Sequence, residues 1–139
     1  VTLSACESGL AEFRDMPDEF LGLPGAFMEA GAPAVVSSLW AVDDYSTSLL
    51  MGEFYRRHLW EGQGIAQALR GAQLWLRDLG REEVLDLVEP VRERAEHEDS
   101  VLLQAVDTLY WGLLQGGAEY EHPFAHPYYW GAFTASGAV

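Results

Sequence analysis

Lysine is absent from this 139-residue chain, whose whole basic complement is eight arginines against 22 Asp and Glu. The resulting net charge of −14 repels phosphate backbones, so no nucleic-acid partner is expected. An acidic surface suits basic peptide partners, and it equally serves solubility alone. Cysteine occurs once, at Cys6. That excludes an internal disulfide and fits a reducing, cytoplasmic setting. No apolar run approaches the roughly 20 residues that a membrane helix needs, so no membrane partner is expected. No signal peptide is visible. One cysteine and four scattered histidines lack metal-ligand spacing. Phosphate loops and dinucleotide fingerprints are missing too, since Gly22, Gly25 and Gly31 read as helix punctuation. Neither metal nor cofactor is therefore expected. Ser4 and Ser8 do not sit in a Gly-x-Ser-x-Gly elbow, and Cys6 lacks the flanking glycines of an amidotransferase elbow.

What is present is a composition for one packed domain, 49% hydrophobic and 12% aromatic. Val1 to Ala5 reads as a short buried strand, and Glu7 to Asp18 as a loop. Pro24 is placed to open a short helix that Gly31 stops. Ala34 to Trp40 is β-rich and bounded by Pro33 and Asp43, which predicts a second core strand. Two strands separated by a helix suggest a βαβ unit with a parallel pair. Asp44 or Ser46 can cap the next helix, whose stripe runs Leu50, Phe54 and His58 until Gly62. Another helix carries Ile65, Leu69, Ala72 and Leu76 on one face, with Gly80 as its stop. Arg81 to Glu89 continues as a helix that Pro90 is expected to break. Ser100 can cap a helix carrying Leu102, Val106, Leu109, Tyr110 and Leu113, closed by Gly116-Gly117. Tyr128 to Ala135 is aromatic and alternating, and reads as a last strand. Between Arg81 and Asp99 eight acidic residues face three arginines, a net −5. This stretch is either a docking surface for a basic partner or a solvated edge.

The residue with most chemical promise is Cys6. It follows an apolar run and precedes a small, Gly-containing turn, and chemistry in open α/β sheets collects outside the carboxyl ends of strands. The alternative is a small buried hydrophobe, because free cysteine is among the most buried residue types. A nucleophilic thiol needs a base, since an unassisted thiol with a pKa near 8.5 is little ionised at neutral pH. His58 lies on a predicted helix and His97 in the acidic stretch. His122 and His126 flank Pro123-Phe124-Ala125.

Ser4-Ala5-Cys6-Glu7-Ser8-Gly9 resembles the cysteine segment of the CHAT family, caspase-like cysteine peptidase domains often fused to tetratricopeptide repeats. Three further blocks are similar, in the family's order. The first runs from Asp18-Glu19-Phe20-Leu21-Gly22-Leu23-Pro24 through Ala30-Gly31-Ala32-Pro33-Ala34-Val35-Val36-Ser37-Ser38-Leu39-Trp40 to Val42-Asp43-Asp44. The next is Ala68-Leu69-Arg70 with Ala72-Gln73-Leu74-Trp75-Leu76. The last is His126-Pro127-Tyr128-Tyr129-Trp130-Gly131-Ala132-Phe133. The resemblance leaves the acidic stretch from about Arg81 to Glu121 uncovered, and this reads as a helical insertion.

The resemblance implies an α/β fold with a caspase-like, mostly parallel sheet flanked by helices. It implies Cys6 as nucleophile, with its own backbone N–H as an oxyanion donor, and His126 as a structural entry into the last strand. The family's catalytic histidine and a neighbouring glycine lie upstream of the cysteine, in caspases by about 50 residues. Only five residues precede Cys6 here, none of them His. The chain is therefore expected to be the carboxyl-terminal half of such a domain, with its base elsewhere. In caspase-like folds the loops after the second core strand line the pocket for the residue before the cleaved bond. That implies substrate-binding roles for Trp40, Asp43 and Asp44; Glu7, directly after the nucleophile, either faces the same cleft and binds substrate or is solvated. Two carboxylates there would favour Arg or Lys; Asp43 and Asp44 are also good helix caps. The expected partners are a protein or peptide substrate and a tetratricopeptide-repeat region in the same or a partner chain. The expected function is part of a cysteine endopeptidase cleaving after a basic residue. The alternative is a non-catalytic interaction module that keeps the fold.

Overall fold

A computed structural model describes residues 1–3, 23–98 and 100–138. The chain divides into two compact units, one formed by Val1–Arg77 with His126–Val139 and the other by Asp78–Ala125.

The first unit is built on β2 (Ala34–Ser38), every residue of which is buried. Small and β-branched residues suit a strand covered on both faces. β1 (Thr2–Leu3) pairs with it in parallel, Thr2 beside Val36 and Leu3 beside Ser37. β3 (Phe133–Gly137) pairs antiparallel on the other side, from Ala34 beside Gly137 to Ser38 beside Phe133. The expected parallel pair is present, but the described sheet is mixed, in the order β1-β2-β3. β2 ends at Ser38, so the strand is shorter than the expected run to Trp40.

Helix α1 (Leu23–Glu29) has Pro24 in its first turn, where a missing N–H costs nothing. It stops at Gly31, whose φ of +98° is a left-handed conformation that side chains disfavour. α2 (Asp44–Tyr55) buries Leu50, Met51 and Phe54 and passes into a π-helical turn, Arg56–Trp60. α3 (Ile65–Asp78) buries Ala68, Leu69, Ala72 and Leu76, nearly the expected face.

The last block departs from expectation. Tyr128 to Trp130 are not extended; they belong to a short helix, α6 (Pro127–Trp130), and the strand starts only at Phe133. The reason is local. His126 Nδ1 accepts from the Tyr128 N–H at 3.2 Å, and Pro127 occupies the first helical position with φ already suitable. Gly131 closes the turn, donating to the Pro127 carbonyl at 2.7 Å. A Cβ at Gly131 would lie 2.8 Å from that carbonyl oxygen, so the turn admits only glycine without a shift.

The second unit is a helical pair, α4 (Arg81–Glu98) and α5 (Ser100–Gln115). Gly80 is the α4 cap as much as the α3 stop: its N–H donates to Glu83 Oε2 at 2.8 Å, and its carbonyl accepts from Val84. Pro90 does not break α4. It is exposed, as is Asp86 four residues back, whose carbonyl is the one deprived of a donor. The buried stripe Val84, Val88 and Ala95 continues past it, and α5 offers buried Val106 and Leu113. Packing of that stripe outweighs a proline cost of ~3 kcal/mol. Arg81 then ties the chain beyond α5 to α4: its N–H bonds the Glu121 carbonyl at 2.9 Å, and its guanidinium the Gly117 carbonyl at 2.5 Å.

Candidate functional site

Because β1 and β2 run parallel, their carboxyl ends share one edge of the sheet. β3 starts at that same edge, where Phe133 sits beside Ser38. Three segments therefore begin or end there: the chain after Leu3, the loop 39–43 after β2, and the turn between α6 and β3.

Backbone and side-chain bonds join the last two. The Leu39 N–H donates to the Ala132 carbonyl at 2.9 Å. Trp40 is half-buried, and its indole Nε1–H donates to the Tyr128 carbonyl at 3.1 Å. Gln73, on α3, sends its amide N–H₂ to the Trp130 carbonyl at 3.1 Å and the Phe133 carbonyl at 2.9 Å. Those carbonyls flank the turn, so one side chain ties α3, α6 and the start of β3 together.

Of the sequence-predicted site residues, Cys6 and Glu7 lie outside the described residues. Trp40 and Asp43 lie in the loop that follows β2 at the strand-end edge, and Asp44 opens α2 after it. Asp43 is the N-cap of α2: Oδ1 accepts from the Ser46 N–H at 2.8 Å, and the Ser46 hydroxyl donates to the Asp43 carbonyl at 3.1 Å. Asp44 occupies the first turn, where its charge complements the helix dipole. Both carboxylate residues are exposed, and Trp40 is committed to α6 through its indole.

Each histidine whose side chain is described makes a hydrogen bond. His58 lies in the π turn, where Nδ1 meets the Gln63 carbonyl at 2.7 Å and the ring stacks on Phe54. Fourteen residues separate it from Asp44, about 21 Å along a helix axis at the usual rise. His122 Nδ1 meets the Leu79 carbonyl at 3.3 Å. His126 caps α6 and does enter the last block as a structural residue. The side chain of His97 lies outside the described residues.

Sequence reasoning missed several polar side chains that brace this unit or lie buried in it. The Tyr55 hydroxyl donates to Thr2 Oγ1 at 2.8 Å and fastens β1 to α2. Glu53, only 9% exposed, accepts from Arg56 Nε at 2.6 Å, Arg56 Nη2 at 2.8 Å and Arg57 Nε at 2.7 Å. Hydrogen bonding from Arg56 is the main cause that holds its carboxyl below the usual range, against the opposing effect of burial. The Glu53–Arg57 spacing of four residues was the readable signal for this pair. Tyr45, one residue beyond Asp44, has a buried hydroxyl with no hydrogen-bond partner among the described residues. Burial pushes its phenol up to about 12, so it stands as a neutral donor.

The family model described as the CHAT domain matches residues 1–138. No curated protein and no solved structure matches the chain. No described helix is long and apolar enough to cross a membrane.

Proposed function

The chain belongs to the CHAT family, a peptidase-related family of caspase-like domains, and from that premise we propose that it forms part of a cysteine endopeptidase. In this reading the three described strands belong to the carboxyl-terminal half of a mostly parallel, caspase-like sheet, and about 81–121 is a helical insertion in it. Cys6 is the nucleophile, and the histidine that ionises it comes from outside residues 1–139. The substrate is a protein segment cut after a basic residue. A tetratricopeptide-repeat region, in the same or a partner chain, presents it.

One observation carries the reading. The parallel register of β1 and β2 starts the segment that leads to Cys6 at the same sheet edge as the loop bearing Trp40, Asp43 and Asp44. Cys6 stands three positions after Leu3 in the sequence. A substrate whose reacting carbonyl meets the thiol then has its preceding side chain near the carboxylates at the start of α2. An arginine there pairs with Asp44 or with the Asp43 oxygen that does not cap. The engagement of His58, His122 and His126 in hydrogen bonds of their own supports a base from elsewhere. The same engagement favours a second reading, a protein-interaction module that retains the fold without the dyad.

The test is peptidase assay of the domain with its upstream partner region, using fluorogenic peptides with Arg or Asp before the cleaved bond. Arg peptides should be cut and Asp peptides spared, and Cys6→Ala should abolish turnover with a stability change of roughly 1 kcal/mol. Equal turnover by wild type and Cys6→Ala removes the thiol from the mechanism. Absence of cleavage by a folded wild-type assembly selects the interaction module.

A further inference from the structure

The helical unit carries a surface that the peptidase reading does not use. On α5, Val106 and Leu113 are buried. Leu103, Asp107, Trp111 and Leu114 recur at three- and four-residue spacing on a different flank. That flank is open: Trp111 is 47% exposed and Leu114 46%. Leu103, Gln104, Asp107, Thr108 and Trp111 line a shallow cavity of about 400 Å³ along it.

The aromatic side of this groove is held in place from α4. Arg92 pairs with Asp107 (Nε to Oδ1, 2.6 Å) and with Glu96 (Nη1 to Oε1, 2.8 Å). Its guanidinium lies 5.0 Å from the Tyr110 ring centre and 5.8 Å from that of Trp111. Trp111 is thus an exposed aromatic restrained on one side by Arg92 and its neighbour Tyr110. Side chains of that kind are favoured anchors at protein interfaces, because little freedom is lost on binding.

Charge selects the occupant. Residues 78–125 contain twelve Asp and Glu against three Arg, a net −9. Arg92, the cation beside the groove, is spent on two carboxylates. A second copy of the chain would bring −14 against −14. A largely apolar track along one helix, interrupted by Asp107 and set on a unit of net −9, matches the apolar face of another helix flanked by Lys and Arg.

We propose that the Leu103–Leu114 flank of α5 is a docking surface for a basic amphipathic helix of a partner protein, with Trp111 as its anchor. The proposal stands apart from catalysis, so Cys6→Ala leaves it intact.

The test is fluorescence anisotropy with the full chain and a labelled 18-residue peptide carrying Leu at every third or fourth position and Lys elsewhere. A scrambled peptide of the same composition controls for charge alone. The ordered peptide should bind at least about tenfold more tightly and become helical on binding. Trp111→Ala and Leu114→Lys should each weaken it about tenfold or more while melting close to wild type. Hydrogen exchange should slow along α5 when the peptide is present, a readout that needs no variant. Equal affinity for both peptides, or indifference to both substitutions, reduces the effect to diffuse charge attraction and overturns the proposal. A dimer in sedimentation that Trp111→Ala abolishes, without peptide binding, assigns the flank to a second copy and overturns it too.

Discussion

Replacing Glu53 by Gln probes the join between the end of α2, its π-helical turn and α3. The carboxylate accepts three charge-assisted bonds, two from Arg56 and one from Arg57. In isolation each such bond contributes ~1.5–3 kcal/mol. The Arg56 side chain is 44% exposed, so its share shrinks toward the ~0–1 kcal/mol of a surface pair. Arg57 is more covered, and its guanidinium lies close over Gly71 of α3. Gln keeps the volume and one acceptor but removes the charge, so the expected loss is about 2 kcal/mol. For a chain of this size that lowers the melting midpoint by about 6–12 °C. The pH dependence provides a second signature. Glu53 is held below its ordinary pKa in the folded state, so its contribution is fully present above the unfolded value. It fades as pH falls through the lower, folded value. Thermal melts followed by circular dichroism should therefore show a constant gap between wild type and Glu53→Gln from about pH 7 to about pH 5. The gap should narrow below about pH 4. Equal midpoints at pH 7, or a gap that persists undiminished in strong acid, would refute the assigned role.

Two other substitutions separate structure from chemistry at the edge itself. Asp43→Ala should cost about 1 kcal/mol through loss of the α2 cap, whereas Asp43→Asn should melt near wild type; equal midpoints for Ala and wild type would dismiss the cap. In the peptidase assembly proposed above, Asp43→Asn and Asp44→Asn together should slow Arg cleavage at least tenfold, and undiminished cleavage would remove these carboxylates from the proposed basic-residue pocket. Gly131→Ala forces a Cβ to within 2.8 Å of the Pro127 carbonyl oxygen, so a loss of about 1–3 kcal/mol is expected in chemical denaturation; a neutral result would mean that the turn yields.

Local patterns carried much of the architecture. The β-rich run before Trp40, the glycine at position 31 and the stripe on α3 are all short-range signals, and each corresponds to an observed feature. The misreadings came where two local signals competed or where packing overruled one. Tyr128 to Trp130 have the residues of a strand, yet His126-Pro127 before them and Gly131 after them form a helix start and stop. Pro90 reads as a breaker, yet it sits on the exposed side of a helix whose other side is buried. The mixed sheet follows from β3 returning beside β2, a pairing across about a hundred residues that no window of sequence contains.

The site was legible in the same uneven way. Asp43 could be read as a cap because its partner is three residues off, but Tyr55 and Gln73 act over 53 to 60 residues. Those distant bonds decide how the edge can work. Loop 39–43 is tied by the Leu39 N–H and the Trp40 indole to the turn that starts β3, and Gln73 ties that turn to α3. Opening the loop would break two hydrogen bonds, leaving carbonyls at 128 and 132 to find new donors. The loop is thus a wall of the site rather than a lid. In the peptidase reading proposed above, a substrate meets that wall through the side chains of Asp43 and Asp44, which open α2. In that reading, exchanging Asp44 should change which residue is accepted with little change in the backbone, whereas Asp43 must keep a capping side chain such as Asn for α2 to start where it does.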